Sequence, residues 1–201
     1  DAPRRLDQAS SKLEASDRAT SEVTAGTQLR TYRMAIATTG EWTQQYGGGN
    51  VATAATAIIT LMNQINAVFE KEIAVRFTVI NNQATIYTNA ATDPFANESS
   101  GEELEKTQQA LDQNIGNANY DIGHLFNTAN GGIAQTPSVC LAGKARGSTG
   151  LPSPTGDAFW IDYVAHEMGH QYWAHQACGA NMQGSEMTTE TFAQYSALMV
   201  M

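Results

Sequence analysis

The sequence is poor in charge, in basic clusters and in cysteine. Charged residues make up 15 % of the 201 positions, against roughly 25 % in an average soluble domain. A polar surface must therefore be built largely from Thr, Asn, Gln and Ser. Eleven Lys and Arg stand against twenty Asp and Glu, a formal net charge of −9. No Lys/Arg cluster is present, which argues against a nucleic-acid partner, because phosphate binding needs such clusters. No uninterrupted apolar run reaches the roughly 18 residues of a membrane span, so no span is expected. The opening Asp1-Ala2-Pro3-Arg4-Arg5 lacks the apolar core of a signal peptide, although a processed form of a secreted precursor would look the same. Scarce Lys, abundant Thr and Asn, and an even number of cysteines (Cys140 and Cys178) fit a secreted or extracytoplasmic protein.

What is present is a chain long enough to bury a core without several disulfides, with 42 % hydrophobic residues. Residues 1–27 read as a polar arm or the stub of a pro-segment, with Leu6, Leu13 and Val23 as sparse apolar anchors. From Leu29 the alternation of Tyr32, Met34 and Ile36 with Arg33, Ala35 and Ala37 predicts a strand. Gly47-Gly48-Gly49-Asn50 breaks the chain. Ile58, Met62, Ile65 and Phe69 then fall at helical spacing, with Asn50 or Thr53 as the cap. Strands are expected at 75–79, 85–88 and 120–126, and an extended segment at 133–139. A helix is expected from Ser99 or Ser100, where Glu102 and Glu103 complete a capping-box pattern, to Gly116. Residues 143–158, rich in Gly, Ser, Pro and Thr, read as a loop. This order of elements predicts an α+β fold, a mixed twisted sheet packed with helices.

The chemistry lies in His166-Glu167-Met168-Gly169-His170, an H-E-x-x-H run that follows Asp162, the candidate helix cap. Histidines four apart share one face of a helix, so both imidazoles can reach one metal ion. Catalytic zinc takes three protein ligands and leaves a position for water. Glu167, beside the first ligand, is placed to act as the general base toward that water.

Residues 28–170 resemble the catalytic domain of bacterial reprolysin-like proteases of the metzincin clan. The resemblance rests on Leu29-Arg30-Thr31-Tyr32-Arg33, Ala90-Ala91-Thr92-Asp93-Pro94, Asn119-Tyr120-Asp121-Ile122-Gly123-His124, Gly143-Lys144-Ala145-Arg146-Gly147 and the run from Ile161 to His170. It implies a zincin-like zinc endopeptidase with a twisted sheet above the active-site helix. The metzincin pattern places a Gly and a third His seven and ten residues after the first His, where this chain has Trp173 and Gln176. The stretch 166–201, with His170-Gln171-Tyr172-Trp173-Ala174-His175-Gln176, is similar to gluzincin peptidases of the alanyl-aminopeptidase type found in transporter-linked proteins. That second resemblance implies Glu190, twenty residues after His170, as the third zinc ligand. Residues 28–201 thus read as a metallopeptidase catalytic domain, truncated or chimeric after residue 170.

The expected site is His166, His170 and Glu190 as Zn²⁺ ligands with Glu167 as base, while His175 or water stays open as the third ligand. His124, between Ile122 and Phe126, reads as a hydrogen-bonded structural residue, and Tyr172 and Trp173 as core or pocket wall. The resemblance implies that Gly131-Gly132-Ile133-Ala134 is an edge strand for an extended substrate. A Cys140–Cys178 bridge would tie the tail to the body. The expected function is hydrolysis of peptide bonds in a peptide or protein substrate, by endopeptidase action. A catalytically impaired zinc-binding domain and a gluzincin-type aminopeptidase are the alternatives. The latter needs an upstream acidic motif to hold a substrate's amino terminus, and none is recognisable.

Overall fold

The computed structural model describes residues 29–81 and 83–172. The expectations for the arm 1–27 and for Trp173, His175, Gln176, Cys178 and Glu190 lie outside the described residues. Strand β1 (Arg30–Thr38) sends Tyr32, Met34 and Ile36 into one core and Ala35 and Ala37 into another. From Met34 onward every residue is buried, as a central strand covered on both faces requires.

A short helix α1 (Gly40–Gln45) follows, capped by Thr39, whose hydroxyl accepts from the Trp42 amide at 3.2 Å. The glycine break leads into α2 (Val51–Ile73), where the Asn50 side chain accepts from the Thr53 amide at 3.0 Å. That bond satisfies one of the orphan donors of the first turn. The Ile58–Met62–Ile65–Phe69 stripe is buried as the spacing predicts. By length and composition alone α2 is apolar enough to cross a membrane, but its apolar face packs on the sheet, as a core helix does.

Strand β2 (Val75–Val79) pairs parallel with β1 at the edge of the sheet. Its outward backbone groups are partly covered: the buried Asn66 of α2 donates to the Phe77 carbonyl at 2.9 Å and accepts from the Phe77 amide at 2.8 Å. The expected strand at 85–88 is instead a 3-10 turn (Gln83–Thr85) with one bridge from Ile86 to Thr38. Helix α3 (Gly101–Asn114) is capped by Ser100, which accepts from the Glu103 amide at 3.2 Å. The Glu103 carboxylate does not close the capping box. It accepts from the amides of Ala96 and Asn97, both at 3.1 Å, and holds the preceding loop.

The sheet is completed by β3 (Ile122–Asn127), β4 (Gly131–Ala134) and β5 (Gly147–Gly150), in the order β2-β1-β3-β5-β4. All neighbours are parallel except β4 and β5. The mixed sheet bears out the α+β expectation, with α3 against one face and α2 with the chain's last described helix against the other. Strand β5 corrects the reading of 143–158 as loop. Its four residues are all buried, and small side chains are what its neighbours leave room for.

Candidate metal centre

Helix α4 (His166–Tyr172) carries the H-E-x-x-H run. It does not start at a cap on Asp162. A π-helical stretch, Ala158–Ala165, runs directly into it, so Asp162 lies within a continuous helical segment. Phe159, Val164, Ala165 and Met168 anchor this segment in the α2-side core. Wider turns of this kind recur at functional sites in helices.

His166 and His170 face each other across one helical turn, with their Nε2 atoms 3.0 Å apart and the rings edge to face. Two imidazoles bound to one tetrahedral zinc at about 2.0–2.1 Å bring their nitrogens to roughly 3.3 Å. The pair therefore presents two donors to a common point at close to the required spacing. Burial, and the neighbouring His166, push the His170 pKa below its ordinary value, which favours the neutral form that binds metal. On geometry and donor chemistry the pair fits zinc. No group of three His, Cys, Asp or Glu side chains gathers for a metal among the described residues, and Glu190 and His175 are outside them.

Glu167 is buried with 9 % of its surface exposed, and burial raises its pKa to about 7. Its side chain lies on the backbone of Gly132 in β4. A Cβ built on Gly132 would come within 2.4 Å of Glu167 Cγ and 2.6 Å of Oε1. Strand β4 is the terminal strand beside β5 and runs antiparallel to it, the edge position that the resemblance implies.

His124 does not join the histidine pair. It is fully buried on β3, with Nδ1 2.7 Å from Gln171 Oε1 and Nε2 2.8 Å from Thr149 Oγ1. Gln171 Nε2 donates to the Gly123 carbonyl at 2.8 Å, so Oε1 is the acceptor facing His124. Nδ1 therefore carries the proton, and Nε2 accepts from the Thr149 hydroxyl. Desolvation pushes the His124 pKa down to about 4. Tyr172 packs edge to face on Tyr32, in keeping with a core role. Cys140 is disulfide-bonded, while Cys178, the other cysteine of the chain, lies outside the described residues. Gln171 and Gly147, which hold this polar cluster together, were not singled out by sequence reasoning. A Gly-Ser-Thr-Gly run beside an H-E-x-x-H helix was the available signal.

The family model described as metallo-peptidase family M12B, reprolysin-like, matches residues 28–200. The chain belongs to this reprolysin-like metallopeptidase family. The match continues past His170 through the tail. No curated protein matches the chain. Among solved structures, a chain from a structure of a chaperone–substrate complex is similar at 16 % identity and a TM-score of 0.47. The alignment covers 72 % of this chain and 24 % of that one. M12B members are metallopeptidases, so the family carries hydrolase chemistry on peptide or protein substrates, and the zincin-like expectation for the fold stands.

Proposed function

We propose that this chain is a secreted, zinc-dependent endopeptidase whose reaction is carried by His166, Glu167 and His170. The observation that supports this most is the convergence of the two Nε2 atoms at 3.0 Å with the buried Glu167 carboxylate between them in sequence. Both histidines would hold Zn²⁺, and Glu190 is the proposed third ligand. Bound zinc supplies Lewis acidity, polarising the scissile carbonyl and acidifying water.

The chain's own groups do the rest. The edge of β4 that no described strand pairs with aligns an extended peptide by main-chain hydrogen bonds, beside Glu167. Glu167 takes a proton from the attacking water on a carboxylate oxygen. It then returns that proton to the amide nitrogen as the C–N bond breaks. Gly132 lets the carboxylate lie against the strand that aligns the substrate, so base and scissile bond share one reference surface.

The test is hydrolysis of a peptide library by the full chain, with and without a zinc chelator, beside Glu167→Gln. Cleavage within the peptides that both treatments abolish is the expected result. Equal cleavage in all three samples overturns the enzyme reading. Zinc binding without any cleavage leaves the impaired zinc-binding domain in its place.

A further inference from the structure

We propose that Gln171 is a positioning residue for the metal centre, fixing the rotation of α4 so that His166 and His170 point at a common metal. This inference rests on reading those histidines as ligands. Successive residues of a helix are turned by about 100°. Glu167 and Gln171 are therefore one pair, a turn apart, on a face adjacent to the one that carries His166 and His170. The sheet meets this second pair with two glycines on neighbouring strands. Gly132 of β4 receives Glu167 and Gly147 of β5 receives Gln171.

Gln171 is fully buried, and its amide is engaged at both ends. Nε2 donates to the Gly123 carbonyl at 2.8 Å, and Oε1 meets His124 Nδ1 at 2.7 Å, both on β3. The Thr149 hydroxyl of β5 fixes the far side of the His124 ring. The Gln171 main-chain carbonyl accepts from the amides of Ser138 and Val139 at 2.9 and 3.1 Å. One residue beyond the second histidine, the helix is thus tied to β3, to β5 and to the 138–139 loop. A Cβ on Gly147 would come 2.2 Å from Gln171 Oε1 and 2.6 Å from His124 Nδ1, so β5 is shaped to admit this amide. A helix held this way cannot rotate without breaking buried polar bonds, which are costly to leave unmade. The ligand nitrogens inherit that constraint, as groups that orient metal ligands do elsewhere.

The experiment compares zinc affinity, by competition with a chromogenic chelator, and thermal unfolding in full-chain variants. Gln171→Glu keeps an acceptor for His124 but sets a carboxylate oxygen against the Gly123 carbonyl. Gly147→Ala presses a methyl onto the amide from the sheet side. Both are expected to weaken zinc binding by about ten- to a hundredfold, with kcat falling and KM little changed. Val75→Ala, a buried core substitution on β2 at the opposite edge, lowers stability and is expected to keep wild-type zinc affinity. Wild-type affinity in both Gln171→Glu and Gly147→Ala overturns the inference, and so does an equal loss in Val75→Ala. If Gln171→Glu does not fold, Gly147→Ala decides. Zinc binding that survives His166→Ala overturns the metal reading itself. Loss in His166→Ala beside wild-type affinity in the other two overturns only the role of Gln171.

Discussion

The side chain of Glu167 occupies the space that a Cβ on Gly132 would fill, with Cγ only 2.4 Å from that position. A carboxylate and the backbone of an edge strand are thereby in register. Gly132→Ala should force the Glu167 side chain out of its present rotamer while leaving the histidine pair alone. The expected result is a fall in kcat of about a hundredfold or more, the scale of general-base contributions, with zinc affinity retained. Steady-state kinetics and chelator competition on one preparation check both halves.

His124 predicts an acid limit to stability. Its pKa in the fold is about 4, against about 6.5 in the unfolded chain. Between these values the unfolded state binds the extra proton, so stability is full above pH 6.5 and is lost as pH falls toward 4. The loss attributable to this ring is about 3 kcal/mol over the window. The groups bonded to the ring, Gln171 and Thr149, are neutral. Urea unfolding in the presence of chelator at pH 7, 5.5 and 4 should show a shallower acid dependence for His124→Gln than for wild type.

Asn66 predicts a second stability effect, at the far edge of the sheet. Asn66→Leu removes both partners of Phe77's backbone groups, which α2 keeps covered. Buried groups left unmade cost about 1–3 kcal/mol each, so losing both partners is expected to cost about 2–6 kcal/mol. Equilibrium urea unfolding measures it, and unchanged stability would show that water replaces the amide freely.

Phe69 predicts the largest core effect. Its ring is fully buried and meets Phe77 edge to face at 5.0 Å between centroids. Phe69→Ala should cost about 3–5 kcal/mol, read as a lowered Tm with the far-ultraviolet spectrum retained at low temperature.

Much of this architecture was legible where periodicity and capping agree. The α2 stripe, the Asn50 and Ser100 caps, β1 and the spacing of His166 and His170 all follow from local rules. The misreadings have a common cause. Gly147-Ser148-Thr149-Gly150 reads as a loop because strand propensity favours bulky residues. In the fold, the neighbouring Gln171, His124 and Asn127 side chains take the volume that such residues would need. Glu103 carries a helix-start pattern, yet its carboxylate serves amides of the preceding loop. The start of helix α4 was set too late because the eight residues before it wind as a π-helix rather than beginning at a polar cap. In each case a tertiary partner outweighed the local signal.

The Asn66 clasp on Phe77 also makes the sheet unequal as a growth surface. One border strand is partly sealed by a helix side chain, whereas β4 at the other border ends the sheet among the described residues. The border left for an added strand, whether a substrate or a second copy of the same chain, is then β4. Under the proposed function, self-association through that border would occupy the rail that a peptide needs. Crowding the protein with itself should therefore act as competitive inhibition rather than as simple loss of material.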